Sequence, residues 1–81
     1  MKQYKINWTK VPEVVPGGKQ YFYTAETPIG RFWIVWDRVR KNYVVQDESY
    51  YARGQYRHLL NHSVRDIKEG KLIAQLIVDN Y

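Results

Sequence analysis

The sequence predicts an α+β fold, an antiparallel three- to four-stranded β-meander with one C-terminal helix packed across one face. Three observations point there. The stretch Tyr21–Trp36, YFYTAETPIGRFWIVW, holds two runs of aromatic and β-branched residues around a Pro/Gly turn, the pattern of a β-hairpin. Gln3–Trp8 alternates apolar and polar residues, as a strand with one buried face does. After Ser63 the apolar residues recur at three and four. A one-sided sheet and an amphipathic helix each need a partner, so the helix is expected to lie across the sheet.

The elements follow in order within a single small domain, 1–81. A first strand is expected over 3–8, with Tyr4, Ile6 and Trp8 pointing one way. Thr9–Lys19 holds Pro12, Pro16, Gly17 and Gly18 and reads as a loop. The hairpin strands are expected over 19–27 and 30–37. Pro28 presets φ for the turn, and Gly30 supplies φ > 0 at its exit. With Thr27–Gly30 as the turn, Glu26 is placed opposite Phe32, Thr24 opposite Ile34 and Phe22 opposite Trp36. One face then carries Phe22, Thr24, Phe32, Ile34 and Trp36, the expected core; the other carries Tyr21, Tyr23, Ala25, Trp33 and Val35. A one-residue slip would exchange the faces.

A basic connection, Asp37–Asn42, leads to a short strand over 43–47. The stretch 55–60 reads either as a further strand or as the lead-in to the helix. Ser63 is the expected N-cap, with Asp66 at N3, and one helix is expected over 63–79. Its stripe is Val64, Ile67, Ala74 and Val78, widened by Leu72, Ile73, Leu76 and Ile77. Gly70 is a defect in it, costing roughly 1 kcal/mol relative to alanine; the alternative is that it ends a first helix.

Eighty-one residues fit one domain with a small core. The absence of cysteine excludes disulfides and thiolate metal sites. No apolar run approaches the ~20 residues of a membrane span, and the N-terminus MKQYKINWTK does not read as a signal peptide, so a cytoplasmic protein is expected. Thirteen Lys or Arg against eight Asp or Glu give a net charge of +5, which favours acidic partners but also serves solubility. Eight tyrosines and three tryptophans are the stronger compositional anomaly, and they bias the reading toward a protein interface.

Enzyme chemistry finds no support. Ser49 and Ser63 lie in no nucleophile elbow, and Glu26, Asp37, Asp47 and Glu48 read as solvated turn charges rather than an acid–base pair. Gly17-Gly18-Lys19 lacks the spacing of a phosphate loop. His58, His62 and Asp66 share a spacing of four, but a helix starting at Ser63 breaks their common face and no further strong ligand follows, so no metal site is expected. No cofactor is expected either.

The residues Trp8, Gly18, Tyr21, Tyr23-Thr24-Ala25-Glu26-Thr27-Pro28, Gly30-Arg31-Phe32 and Ile34, followed by a short strand and a capped helix, resemble small uncharacterised phage and prophage proteins. Those often read Tyr-x-Ala-x-Thr-Pro-x-Gly-x-Tyr/Phe-x-Ile before a terminal helix. The resemblance covers about half the chain, rests on a turn motif, and implies a meander plus helix in a phage-accessory role without enzyme activity. The chain departs from that pattern at Tyr50–Leu60 and at Gly70. Double-stranded-RNA-binding domains share the strand-then-helix order, but their preceding helix and Gly-x-Gly-x-Ser-Lys-Lys start are absent here.

Two binding modes are therefore expected, with membrane contact excluded. The first is a protein partner or a homodimer on Tyr21, Tyr23 and Trp33, an aromatic sheet face that a single helix would leave uncovered. The second is an acidic partner or nucleic acid on Arg38, Arg40 and Lys41 in the second turn and on Arg53, Arg57, Arg65 and Lys68 in the last third.

Overall fold

A computed structural model describes residues 4–12, 19–49 and 60–80. Five strands form one antiparallel sheet in sequence order: β1 (Thr9–Lys10), β2 (Lys19–Thr27), β3 (Gly30–Asp37), β4 (Asn42–Ser49) and β5 (Leu60–Val64). The helix α1 (Ile67–Asp79) packs against β3, β4 and β5. The fold is α+β as expected, with one strand more than the upper estimate.

The first hairpin closes on Thr27↔Gly30, with Pro28 and Ile29 as its two turn residues. Gly30 sits at φ 128°, where a side chain would be strained. The Thr27 hydroxyl donates to the Gly30 carbonyl at 2.6 Å and accepts from the Ile29 amide at 3.3 Å. Ile29 is thereby folded back into the core.

This pairing corrects the expected register. Glu26 faces Arg31, Ala25 faces Phe32, Thr24 faces Trp33 and Tyr23 faces Ile34. A bulge then follows, and Tyr21 resumes opposite Val35, leaving Phe22 as the extra residue. Phe32, Ile34 and Trp36 lie on the expected core side, but Tyr23 and Ala25 join them and Thr24 does not. The Phe22 ring meets Tyr43 on that same side, 6.0 Å between centroids. The turn's two-residue loop shifts one half of β2 by a position, and the bulge re-aims the other half.

The core between sheet and helix comprises Ile29, Phe32, Ile34, Val45, Val64, Ala74 and Val78. The helix contributes Gly70, Ala74 and Val78 at four-residue spacing, all buried. Leu72 and Leu76, expected to widen the buried stripe, are instead 59% and 47% exposed on the outer side. At Gly70 the helix lies tight on the sheet: a Cβ there would stand 3.3 Å from Val45 Cγ2 and 3.5 Å from both Ile34 Cδ1 and Val64 Cγ2. What reads in sequence as a helix defect is the place where the two layers touch.

The helix starts later than the sequence suggests. Ser63 is still extended, because β5 continues its ladder with β4 through Val64↔Tyr43. Asp66 is the N-cap, its carboxylate accepting the Glu69 amide at 2.8 Å. Both Ser63 and Asp66 stand three residues before an acidic residue, and the sheet decides between them.

The first strand is likewise displaced. Tyr4–Trp8 alternates half-buried and exposed residues as expected, yet its ladder is confined to Thr9–Lys10. The Gln75 side-chain amide takes the place of a neighbouring strand: Oε1 accepts from Ile6 N at 3.2 Å, and Nε2 donates to the Tyr4 carbonyl at 2.7 Å.

Gly70→Leu is expected to lower stability by about 1–3 kcal/mol, since it overpacks a tight contact. A urea midpoint at or above wild type would show that the layers do not meet there. Gln75→Ala is expected to cost about 1–3 kcal/mol by stranding two backbone groups, and to speed hydrogen exchange at Ile6 specifically.

Candidate functional site: a basic end of the sheet

Strand pairing sets which charges are neighbours. The β3–β4 connection is a four-residue turn, Arg38–Lys41, closed by Asp37↔Asn42. Asp37 shapes it, its Oδ1 accepting from the Val39 and Arg40 amides at 3.0 and 3.1 Å. Lys41 completes the reversal at φ 56°, a left-handed conformation unusual for a residue with a side chain. Because Tyr43 pairs with Val64, the segment leaving β5 emerges beside this turn. Arg65 and the first turn of α1, with Lys68, thus join Arg38, Arg40 and Lys41 at one end of the sheet. All five are exposed.

The carboxylates of this end are mostly engaged. Asp37 and Asp66 hold backbone amides. Glu69 pairs with Arg65 at 3.0 Å on a solvated surface, where such a pair stabilises little. Arg40, Lys41 and Lys68 make no ion pair with any described residue. Val39, 81% exposed, projects from the turn among these cations. Beside them a recess of about 120 Å³ is lined by Asp37, Arg40, Val44, Asn61 and Ser63. Ser63 accepts from Asn42 Nδ2 at 3.1 Å, and Asn42 Oδ1 is buried without a partner among the described residues. Arg53 and Arg57, expected to extend the basic cluster, lie outside the described residues.

The expected aromatic trio does not share a face. Tyr23 lies on the helix side, with Lys71 Nζ 4.2 Å from its ring centroid. Tyr21 and Trp33 meet on the other side in an edge contact, 5.3 Å between centroids. There Trp33 Nε1 donates to Glu48 at 2.8 Å, and the Arg31 guanidinium lies 5.6 Å from the Trp33 ring centroid while pairing with Glu26. All three rings are half-buried. The centre of this second face is closed, with Val35, Val44 and Gln46 at 0%, 4% and 2% exposure. The bulge at Phe22 and the covered valines together remove the continuous open aromatic surface that alternation alone implies.

The remaining candidates separate in space. His62 stands on β5, 3.4 Å from the buried Asp47, whereas Asp66 caps the helix and His58 lies outside the described residues. Among the described residues no group of three His, Asp or Glu is placed to hold a metal ion. No described helix is long and apolar enough to cross a membrane. Sequence reasoning missed the Glu48–Trp33 bond and the recess beside β5, since both depend on pairings between distant segments. Comparison with known protein families, curated proteins and solved structures finds no match to this chain.

Lys41→Gly is expected to raise stability by roughly 1 kcal/mol, because glycine adopts φ > 0 without steric cost. Thermal unfolding checks this; a lower melting temperature would mean that the turn does not require the left-handed conformation.

Proposed function

We propose that the protein is a non-enzymatic accessory module that docks an acidic protein partner on the basic end of its sheet. The observation that carries this reading is the convergence of the Arg38–Lys41 turn with Arg65 and Lys68, three of whose cations have no counter-ion among the described residues. Unpaired exposed cations around an exposed Val39 combine charge for steering with an apolar contact. Tyr21 and Trp33 contribute less than the composition suggests, since Trp33 already spends its polar tip on Glu48. The hairpin motif's resemblance to phage and prophage proteins favours a small accessory role of that kind, in the cytoplasm.

A nucleic acid is the second reading, favoured by the same cations. Against it, Asp37, Asp66 and Glu69 interrupt the positive surface, which suits discrete carboxylates better than a continuous run of phosphates.

Charge reversal of Arg40, Lys41 and Lys68 to Glu tests the proposal, with polyglutamate and a short DNA duplex as probes. Folding is expected to survive, as surface substitutions are usually mild. Polyglutamate binding is expected to fall by roughly tenfold or more, as lost charge complementarity requires. Unchanged polyglutamate binding would overturn the proposal. Much tighter, steeply salt-dependent binding of the duplex would establish the second reading instead.

A further inference from the structure

The two edges of the sheet differ. The outer side of β2 is covered by β1 and, past its end, by the Val11 amide, which donates to the Phe22 carbonyl at 2.8 Å. β5 is the other edge. It pairs with β4 over five consecutive residues without a register shift, and no described residue hydrogen-bonds to its outward backbone. Natural edge strands are usually blunted by lysine, proline or a bulge. The sequence of β5, LNHSV, has no lysine or proline, and its described ladder has no bulge. Asn61 and Ser63 are exposed, and neither brings a charge or a long side chain to this edge on the second face.

We propose that β5 receives an extended, glutamate-rich segment of the partner as a sixth strand. This rests on the acidic-partner reading and adds to it where and how the partner binds. Strand addition supplies main-chain hydrogen bonds for affinity, and alternate side chains supply specificity. On one side of the added strand the side chains would pass the recess that Arg40 shares with Asn61 and Ser63. At the end of β5 they would meet Arg65, whose side chain is 84% exposed, and Lys68 beyond it. Asp37 also lines the recess and Glu69 pairs with Arg65, so the charge that draws an acidic segment comes from Arg40 and Lys68, which have no ion pair among the described residues. A second copy of this chain is the less suited occupant, because it carries the same net charge of +5 and brings a second set of the same cations to the edge.

The test uses the intact protein and a short alternating Glu–Val peptide. Amide hydrogen exchange within Asn61–Val64 is expected to slow as the peptide is added. A peptide of the same sequence, N-methylated at every residue, keeps its charge but cannot donate a backbone hydrogen bond from either edge. It is expected to bind roughly tenfold more weakly, the equivalent of one or two net hydrogen bonds. An alternating Lys–Val peptide is expected not to bind. Equal binding of the N-methylated peptide, or no protection of β5 while polyglutamate still binds, would overturn strand addition and leave the basic-end docking standing. Loss of binding to every acidic probe would overturn both. Sedimentation as a dimer with β5 amides already protected would assign the edge to a second copy and overturn the proposal.

Discussion

The pairing of β4 with its two neighbours is the constraint on which the rest of the structure depends. Val45 stands opposite Ile34 on one side and His62 on the other, and Tyr43 stands opposite Trp36 and Val64. That register places Ile34, Val45 and Val64 under Gly70, where the missing side chain lets the helix lie tight on them. It holds Ser63 extended and so delays the helix to Asp66. It also brings the exit of β5 beside the Arg38–Lys41 turn. Core, helix start and charge distribution are three consequences of one ladder.

The bulge at Phe22 is a second, local constraint. Without it, Tyr21 and Tyr23 would point the same way. With it, Phe22 and Tyr23 both turn to the helix side while Tyr21 remains with Trp33. The aromatic excess of the chain is thereby divided between a packing layer and a half-buried patch in which Trp33 donates to Glu48 and has the Arg31 guanidinium near its ring. Tyrosine-rich composition marks half-wet surface in general, but which surface depends on a single inserted residue.

Much of the fold is legible from local pattern. The hairpin follows from its turn chemistry, and the requirement for φ > 0 at Gly30 is met at 128°. The alternation of Tyr4–Trp8 and the apolar spacing of Ile67–Val78 are also present. What local pattern misjudges is decided by long-range contacts. Ser63 and Asp66 are equivalent as caps until β4 claims Ser63. Gly70 is a weak helix former until the sheet beneath it is known. Tyr4–Trp8 looks like a ladder strand, yet the Tyr4 carbonyl and the Ile6 amide bond to Gln75, a residue 71 and 69 positions away. The basic residues of the candidate site were visible individually in the sequence. Their convergence depends on the Tyr43–Val64 pairing, which leaves no periodic trace.

The convergence of the two basic segments is the central claim, and the chain's lack of cysteine makes it directly measurable. A single cysteine introduced as Lys41→Cys carries a nitroxide label at a unique site. The amide resonances of Arg65–Lys68 are expected to broaden strongly, and those flanking the Pro28–Ile29 turn at the opposite end of the sheet least. Broadening at the Pro28–Ile29 end with sharp resonances at Arg65–Lys68 would contradict the register and, with it, the basic end.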